Sequence, residues 1–323
     1  MNRVVKYLGK VLLITIICVA IKVFLFDVAY IPSESMENTL FKGDFVIVNK
    51  IYFGARLPKS LAEVPWFNFF SQFSSGKDSL SNNHYEKNRR MAGYSKIKNG
   101  DIVVFNAPYD QFQFLIKRCI AIPGDTLCVQ DSLIKINGRR QANPRQSKCL
   151  YSIIFKPGVD YSLFFQSFGI PFSEDWYSRK AEKEKVVNLT ADQAKQLEYR
   201  KEIDSMFIKP TAYELRMVIP FEGMKIRLDS NSYVLYKEII AQYEDGGIRN
   251  INGKFFDRNL NEVKEYRFSR NYYYVMGDNR GYSYDSRFWG LLPDYCILGK
   301  GSFILFSITN SADKWKRLFR GLD

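Results

Sequence analysis

The longest apolar stretch of the chain lies at its N-terminus. Residues 1–26 contain no acidic residue, and the run from Val11 to Phe26 is interrupted only by Lys22. A helix needs about 20 residues to cross a bilayer, and Tyr7–Phe26 provides them, with the Lys22 ammonium reaching toward the interface. We therefore predict a retained transmembrane helix.

A cleaved signal peptide is the alternative interpretation of this run. Cleavage requires small residues at −3 and −1, and the best candidate site, which ends at Ala29, places Asp27 at −3. Basic residues precede the apolar run at Arg3, Lys6 and Lys10. The positive-inside rule therefore places the N-terminus in the cytoplasm and the rest of the chain across the membrane.

After residue 30 the pattern changes to short β-branched and aromatic runs bounded by Gly, Pro, Asn or Asp, which are typical of strands. The predicted strands cover residues 45–48, 101–105, 126–136, 217–228, 272–276 and 302–308. Helical periodicity occurs at Thr190–Met206, with Thr190 as N-cap, and at Ser232–Tyr243. We expect a mainly β fold: one N-terminal transmembrane helix, then a β-barrel-like domain of antiparallel sheet with a large α+β insertion.

The same pattern divides the chain into segments. The predicted segments are an anchor (1–28), a β domain (29–140 with 266–310), an inserted subdomain (141–265) and a C-terminal tail (311–323). Within the β domain, residues 56–98 form a further insertion, in which the aromatic run 66–70 precedes a Ser/Asn-rich stretch. These aromatic residues are either the core of the insertion or a patch against the bilayer.

Composition narrows the choice of chemistry. The chain has 323 residues, 47 Lys+Arg against 34 Asp+Glu, and a formal net charge of +13. This excess suits an anionic membrane, nucleic acid or simple solubility, and the anchor favours the membrane. The single histidine, His84, excludes a metal site built on several histidines, and its polar loop makes it a poor catalytic base. We predict no cofactor and no metal.

The cysteines give a similar negative result. Five are present without a C-x-x-C pair, so neither a metal knuckle nor a disulfide framework is indicated. A single bridge between Cys128 and Cys149 remains open.

Three short motifs carry candidate chemistry. Ile-Pro-Ser-Glu-Ser-Met-Glu-Asn-Thr-Leu occupies residues 31–40, Ile-Lys-Arg occupies 116–118 ahead of Pro-Gly-Asp at 123–125, and Gly-Asp-Asn-Arg begins at 277, ahead of Asp-Ser-Arg at 285–287. Each motif alone is typical of an ordinary turn. Their combination, in this order and behind one anchor, is specific.

In these motifs the chain resembles bacterial type I signal peptidases, the S26 family of membrane-bound serine endopeptidases that remove signal peptides from exported preproteins. The resemblance covers the anchor and residues 29–54, 99–125 and 272–308. It implies a bacterial inner membrane protein with its catalytic domain on the outer face. The implied partners are preprotein signal peptides, anionic phospholipids and the secretion translocon, with no nucleic acid.

The resemblance also implies a catalytic pair, with Ser35 as nucleophile and Lys117 as general base. The physical chemistry agrees, because a serine hydroxyl needs an adjacent base and histidine is scarce here. Lowering the lysine pKa from 10.4 to about 8 requires roughly 3 kcal/mol against the charged form, which burial beside Ile116 and Cys119 can supply.

Four further residues are implied as supports. Ser33 helps the Ser35 N–H to bind the oxyanion, and Ser283 hydrogen-bonds the base. Asp285 and Arg287 are structural, and we expect them to face each other, because a carboxylate beside the lysine would keep it protonated.

The chain departs from the family pattern at three positions. Glu34 stands where glycine is common, Asn38 replaces a proline, and Leu115 stands where an aromatic residue is frequent. None of these changes removes a catalytic group.

Small residues at −1 and −3 of the substrate fit shallow apolar pockets in this family, so the expected cleavage site is Ala-x-Ala-like. The matching positions are Ile31, Met36, Leu40, Val46, Val104 and Ile116. Ordinary core packing is the alternative interpretation of these six residues. An extended substrate would pair beside strand 101–105 or beside the segment before Ser35.

Three other functions compete. A membrane-anchored scaffold on the same fold would lack turnover and use the 141–265 insertion as its partner site. A self-cleaving transcriptional regulator would need a DNA-binding module where the anchor lies. A specialised peptidase of one secretion or conjugation system would share the Ser-Lys chemistry.

Overall fold

The computed structural model covers most of the chain. It describes residues 3–58, 90–130, 133–144, 146–170, 184–208, 214–244, 247–309 and 314–322. His84, the aromatic run 66–70 and most of the 56–98 insertion lie outside the described residues.

One long helix begins the described chain. It runs over Arg3–Ala20 (α1) and continues as a π-helical turn, Ile21–Leu25. Val5–Leu25 is long and apolar enough to cross a membrane, and its large side chains are almost all exposed. The other α-helices among the described residues are Tyr161–Ser167 (α2), Ala191–Leu197 (α3), Ser230–Tyr243 (α4) and Ser286–Trp289 (α5).

Among the described residues the strands outnumber the helices. In chain order they are Phe26–Tyr30 (β1), Asp44–Asn49 (β2), Ile102–Ala107 (β3), Asp110–Ala121 (β4), Thr126–Gln130 (β5), Leu133–Ile136 (β6), Arg139–Arg140 (β7), Lys148–Phe155 (β8), Glu184–Thr190 (β9), Ile203–Ile208 (β10), Glu214–Val218 (β11), Lys225–Arg227 (β12), Arg249–Ile251 (β13), Lys254–Phe256 (β14), Glu265–Arg267 (β15), Tyr272–Met276 (β16), Leu292–Pro293 (β17), Ile297–Ser307 (β18) and Arg320–Gly321 (β19).

The main sheet connects the anchor to the rest of the protein. Its strand order is β1-β2-β18-β3-β4-β16-β17, with β19 paired to β18. These pairings are all antiparallel. Strand β1 follows the anchor helix directly and forms one edge of the sheet. The predicted mainly β, antiparallel fold is confirmed.

Buried apolar residues form three clusters. The largest joins β3, β4, β5, β16 and the segment that carries α4. A second lies under the residues that follow β1. The third is confined to residues 153–203, where β8, β9 and β10 form their own three-stranded sheet against α2 and α3.

This packing bears on the predicted insertion at 141–265. Among the described residues of this insertion, those between 148 and 208 have a core of their own, whereas Met217, Ile219 and Tyr236 pack with the main sheet. We propose that the inserted subdomain is the 148–208 part alone.

Several element predictions need correction. The helix predicted over 190–206 ends at Leu197, although Thr190 caps it as expected. Residues 203–208 instead form β10, because pairing with β8 buries Ile203 in the subdomain core. The strands predicted at 126–136 and 217–228 are each divided, and β4 was missed.

Candidate active site

Ser35 lies in a tight loop between β1 and β2, residues 33–40, which we call the nucleophile loop. The Glu37 N–H donates to the Glu34 carbonyl (2.9 Å) and the Leu40 N–H donates to the Met36 carbonyl (2.7 Å). Met36 and Leu40 are fully buried and anchor the loop. Asn38 has a left-handed backbone with φ of 74°, a conformation that asparagine tolerates better than most residues. These hydrogen bonds and buried side chains hold the loop that carries Ser35 in place.

Lys117 reaches the nucleophile from β4, 82 positions along the chain. Its Nζ lies 2.7 Å from Ser35 Oγ and also donates to the Ile116 carbonyl at 3.0 Å. The lysine is only 3% exposed and the serine 8%. A neutral amine at this distance can accept the serine proton as the hydroxyl attacks.

Burial determines the protonation state of Lys117. Desolvation lowers its pKa to about 8, outweighing the opposing effects of Asp285 and Asp278. Burial disfavours the ammonium because water no longer solvates it. The lowered pKa expected from the sequence is confirmed.

Both carboxylates that act on the lysine are paired with arginines. Asp285 accepts from Arg287 Nε and Nη2, each at 2.8 Å. Asp278 accepts from Arg118 Nε at 2.9 Å and Nη2 at 2.7 Å. The expected Asp285–Arg287 pair is therefore confirmed, and it also fixes the Gly277 N–H, which donates to Asp285 at 3.0 Å.

The two supporting serines differ. Ser33 Oγ lies 3.4 Å from Ser35 Oγ, which is within hydrogen-bond distance of the nucleophile. Ser283 is buried, but its hydroxyl has no hydrogen-bond partner among the described residues. The expected hydrogen bond from Ser283 to the base is therefore absent. The hydroxyl points instead at Gly277, where an added Cβ would lie 2.2 Å from Ser283 Oγ.

The expected pocket residues form one buried cluster. Ile31, Met36, Leu40, Val46, Val104 and Ile116 pack together with Val48, Ile102, Ile304 and Leu322. Met36, Leu40 and Val46 have no exposed surface in this structure, and their role in a substrate pocket stays a prediction. Among the six, Val104 contributes to the open groove beside the site.

That groove has a volume of about 600 Å³. It runs between β1 and the first half of β4, from Pro32 near the nucleophile loop to Lys22 at the end of the anchor. Strand β1 pairs only with β2 among the described strands, and β16 covers β4 only from Arg118 onward. Two unpaired strand edges therefore face the groove.

Sequence reasoning gave no role to several residues that hold the site together. Thr39 Oγ1 donates to Asp278 at 2.6 Å, and Asn279 Nδ2 donates to the Glu34 carbonyl at 3.0 Å. Arg317 donates to Asp44 at 3.0 Å from a segment predicted to be a tail. Asp278 and Asn279 stand in a quoted motif, but no sequence signal links the C-terminal segment to Asp44.

All five cysteines carry free thiols. The bridge left open between Cys128 and Cys149 is not formed.

A buried serine within hydrogen-bond distance of a buried lysine with a lowered pKa is the arrangement of a serine hydrolase in which lysine takes the place of the usual histidine. The family model for "Signal peptidase, peptidase S26" matches residues 4–153 and 215–306. The chain belongs to this family.

Two curated relatives align with nearly the whole length of this sequence. Signal peptidase I of Haemophilus influenzae is 26% identical over 98% of this chain and 73% of its own length. Signal peptidase I of Helicobacter pylori strain J99 is 23% identical over 96% of this chain and 90% of its own. A solved signal peptidase I from Enterococcus faecalis is 16% identical over 64% of this chain and 97% of its own, with a TM-score of 0.27.

The site leaves no space for a side chain at Gly277, which gives a testable prediction. A Cβ there would lie 2.4 Å from the Ser35 carbonyl oxygen, closer than real contacts allow, so Gly277→Ala must displace Ser35. A displacement of about 1 Å costs on the order of 100-fold in rate, and we expect at least that loss in kcat/KM. Gly321→Ala, where nothing lies within 4 Å of the new Cβ, is the matched control. Wild-type kinetics in the Gly277 variant would contradict this geometry.

Proposed function

We propose that this protein is a membrane-anchored type I signal peptidase that cuts preproteins after small residues with Ser35 as nucleophile and Lys117 as base. The observation that carries the proposal is the 2.7 Å approach of a buried Lys117 Nζ to Ser35 Oγ. Membership of the S26 family supplies the reaction class.

The reaction follows from the contacts. Neutral Lys117 accepts the Ser35 proton while Oγ attacks the scissile carbonyl, and the resulting ammonium then protonates the leaving amine. Water completes hydrolysis of the acyl-enzyme by the same base. The Ser35 N–H and the Ser33 hydroxyl stabilise the oxyanion.

The groove supports one orientation of the substrate. Its apolar signal segment occupies the bilayer beside the anchor, so the residues before the scissile bond run from Lys22 toward Pro32 along the groove. Both β1 and β4 run in this direction, toward Ser35 and Lys117. The substrate therefore adds as an extended strand parallel to both unpaired edges.

An extended substrate explains a preference at alternate positions. Successive side chains of a strand point to opposite faces, so residues −1 and −3 face the same wall while −2 points away. We expect that wall to be backed by Met36, Leu40 and Val46, which are fully buried, and therefore to have little depth. Small side chains such as alanine fit there.

The anchor helix supports a location and an orientation in the membrane. Val5–Leu25 crosses the bacterial inner membrane, and its basic N-terminal flank remains in the cytoplasm. The catalytic domain then lies on the outer face, where exported preproteins, anionic phospholipids and the secretion translocon are encountered.

The direct test is a cleavage assay with the full chain in detergent. A preprotein with an Ala-x-Ala site is expected to yield one product whose mass places the cut after the second alanine. A preprotein with leucine at −1 is the control and should remain uncut. An intact Ala-x-Ala preprotein would favour the scaffold interpretation.

The pH dependence provides a prediction with a defined sign. Only deprotonated Lys117 can accept a proton, so kcat/KM should rise with pH through its pKa of about 8 and then level off. At pH 7 about a tenth of the plateau is expected, because about one lysine in ten is then neutral. The measurement is kcat/KM from pH 5 to 10. An inflection near pH 4 to 5 alone would identify a carboxylate base instead.

A further inference from the structure

The inserted subdomain, residues 148–208, touches the motif beside the nucleophile. The Lys148 N–H donates to the Asp278 carbonyl at 3.0 Å, and Asn188 Nδ2 donates to Asn279 Oδ1 at 2.7 Å. A Cβ on Gly281 would lie 2.8 Å from Leu150 Cγ, so glycine permits the subdomain to approach this closely. The family model does not match residues 154–214, which include Asn188.

Asn279 contacts both the inserted subdomain and the nucleophile loop. It is fully buried. Its Nδ2 donates to the Glu34 carbonyl at 3.0 Å, and its backbone N–H donates to the Ser35 carbonyl at 3.1 Å. Because the Glu34 carbonyl can only accept, the amide orientation of Asn279 is fixed, with Oδ1 toward Asn188.

The Glu34 carbonyl belongs to the same peptide group as the Ser35 N–H. A trans peptide is planar, so its C=O and N–H point in opposite directions. Two donors, the Glu37 N–H and Asn279 Nδ2, hold the Glu34 oxygen and therefore fix the direction of the Ser35 N–H. Among the described residues no acceptor occupies that N–H, which leaves it available to a developing oxyanion.

We propose that the inserted subdomain is a positioning element of the reaction: Asn188, acting through Asn279, orients the Glu34–Ser35 peptide so that the Ser35 N–H faces the oxyanion. This inference rests on the proposed peptidase function. Asn188 touches neither substrate nor nucleophile, and it acts by holding the Asn279 amide in its donating orientation.

Two variants of Asn188 separate this role from simple packing. Asn188→Ala removes the donor to Asn279 Oδ1, so the Asn279 amide is then held only by its Nδ2 contacts with the Glu34 carbonyl (3.0 Å) and Glu37 Oε2 (3.3 Å) among the described residues. Asn188→Asp keeps the shape but presents only acceptors, so it favours the flipped Asn279 amide, whose oxygen then faces the Glu34 carbonyl. We therefore expect the isosteric aspartate variant to be more damaging than alanine, the reverse of what a packing role gives.

The expected effects are kinetic. Removal of a whole oxyanion donor costs about 100- to 1,000-fold in kcat, so misorientation of one should cost about tenfold in the alanine variant and more in the aspartate variant. KM and the inflection of the pH profile should not move, because the groove and Lys117 are untouched. Glu184→Gln, at the exposed far end of the same strand, is the matched control and should behave as wild type.

Hydrogen–deuterium exchange of the full chain in detergent provides a readout independent of cleavage. Both Asn188 variants should speed exchange in residues 33–40 while leaving α4 unchanged. Unchanged kcat and unchanged exchange, or an alanine variant worse than the aspartate variant, would overturn the inference. If the wild type fails to cleave any preprotein, the proposed function falls, and the exchange result alone decides whether Asn188 orders the loop.

Discussion

Lys117→Met is expected to abolish preprotein cleavage and to stabilise the fold. Methionine fills the same buried space beside Ser35 but cannot accept a proton, so kcat/KM should fall by on the order of 10⁴-fold or more. Lys117→Arg should be equally inactive, because arginine stays charged at any working pH. The measurement is single-turnover cleavage with excess enzyme.

The stability effect has a definite pH dependence. The pKa of Lys117 is lowered from 10.5 to about 8, so below pH 8 the folded state contains a buried ammonium that costs about 3 kcal/mol. Between pH 8 and 10.5 the unfolded chain binds the proton that the folded state has lost, so the wild-type free energy of unfolding rises with pH. The methionine variant lacks this group, so its advantage should be largest below pH 8 and should disappear above pH 10.5.

Denaturant unfolding of both proteins at pH 7 and pH 10 tests this expectation. Equal stabilities at pH 7 would mean that the ammonium is solvated in the folded state. Activity above about 1% of wild type in the methionine variant would contradict the assignment of Lys117 as the base. His84→Ala, which removes the only imidazole, is the control and should cleave normally.

Ser35→Ala should remove the nucleophile with little change in the fold. Its loss in kcat should be on the order of 10⁵-fold, and the Ser35→Ala, Lys117→Met double variant should lose no more than the worse single variant, because the two groups act as one unit. Oγ contacts Lys117 Nζ at 2.7 Å and Ser33 Oγ at 3.4 Å, so few structural contacts are lost.

Covalent chemistry provides the readout for this prediction. A slow substrate should leave an acyl group on wild-type Ser35, visible as a mass increase on the 33–40 segment, and none on the alanine variant. Losses that multiply in the double variant, or acylation that persists without Ser35, would identify a different nucleophile. Ser147→Ala is a matched control, because Ser147 is buried and its hydroxyl donates to the Pro144 carbonyl of its own turn at 2.8 Å.

The sequence predicted the local elements unevenly. Strands β2, β3, β16 and β18 were found because each is a compact apolar run, and α4 because its apolar positions recur with helical spacing. Strand β4 was missed because polar Asp110 and the Lys117-Arg118 pair interrupt it; these side chains find partners only in the folded protein.

The site was predicted by motif rather than by geometry. Ser35, Lys117, Asp285 and Arg287 were predicted from the resemblance of short motifs to the signal peptidase family. The links from Arg118 to Asp278, 160 positions apart, and from Arg317 to Asp44 carry no local signal, because a carboxylate and an arginine can pair at any separation in sequence. Ser283 is the reverse case: the motif implied a hydrogen bond that the folded structure does not make.

By itself, the sequence determined the apolar N-terminal helix and the mainly β character, since each depends on residue type and short-range spacing. Its motifs, through their resemblance to the signal peptidase family, also predicted which groups react. Tertiary structure alone decided that Lys117 is desolvated, because its low pKa comes from burial by residues distant in sequence. It also decided that the inserted subdomain contacts Asn279, because a hydrogen bond between residues 91 positions apart depends on how two sheets pack.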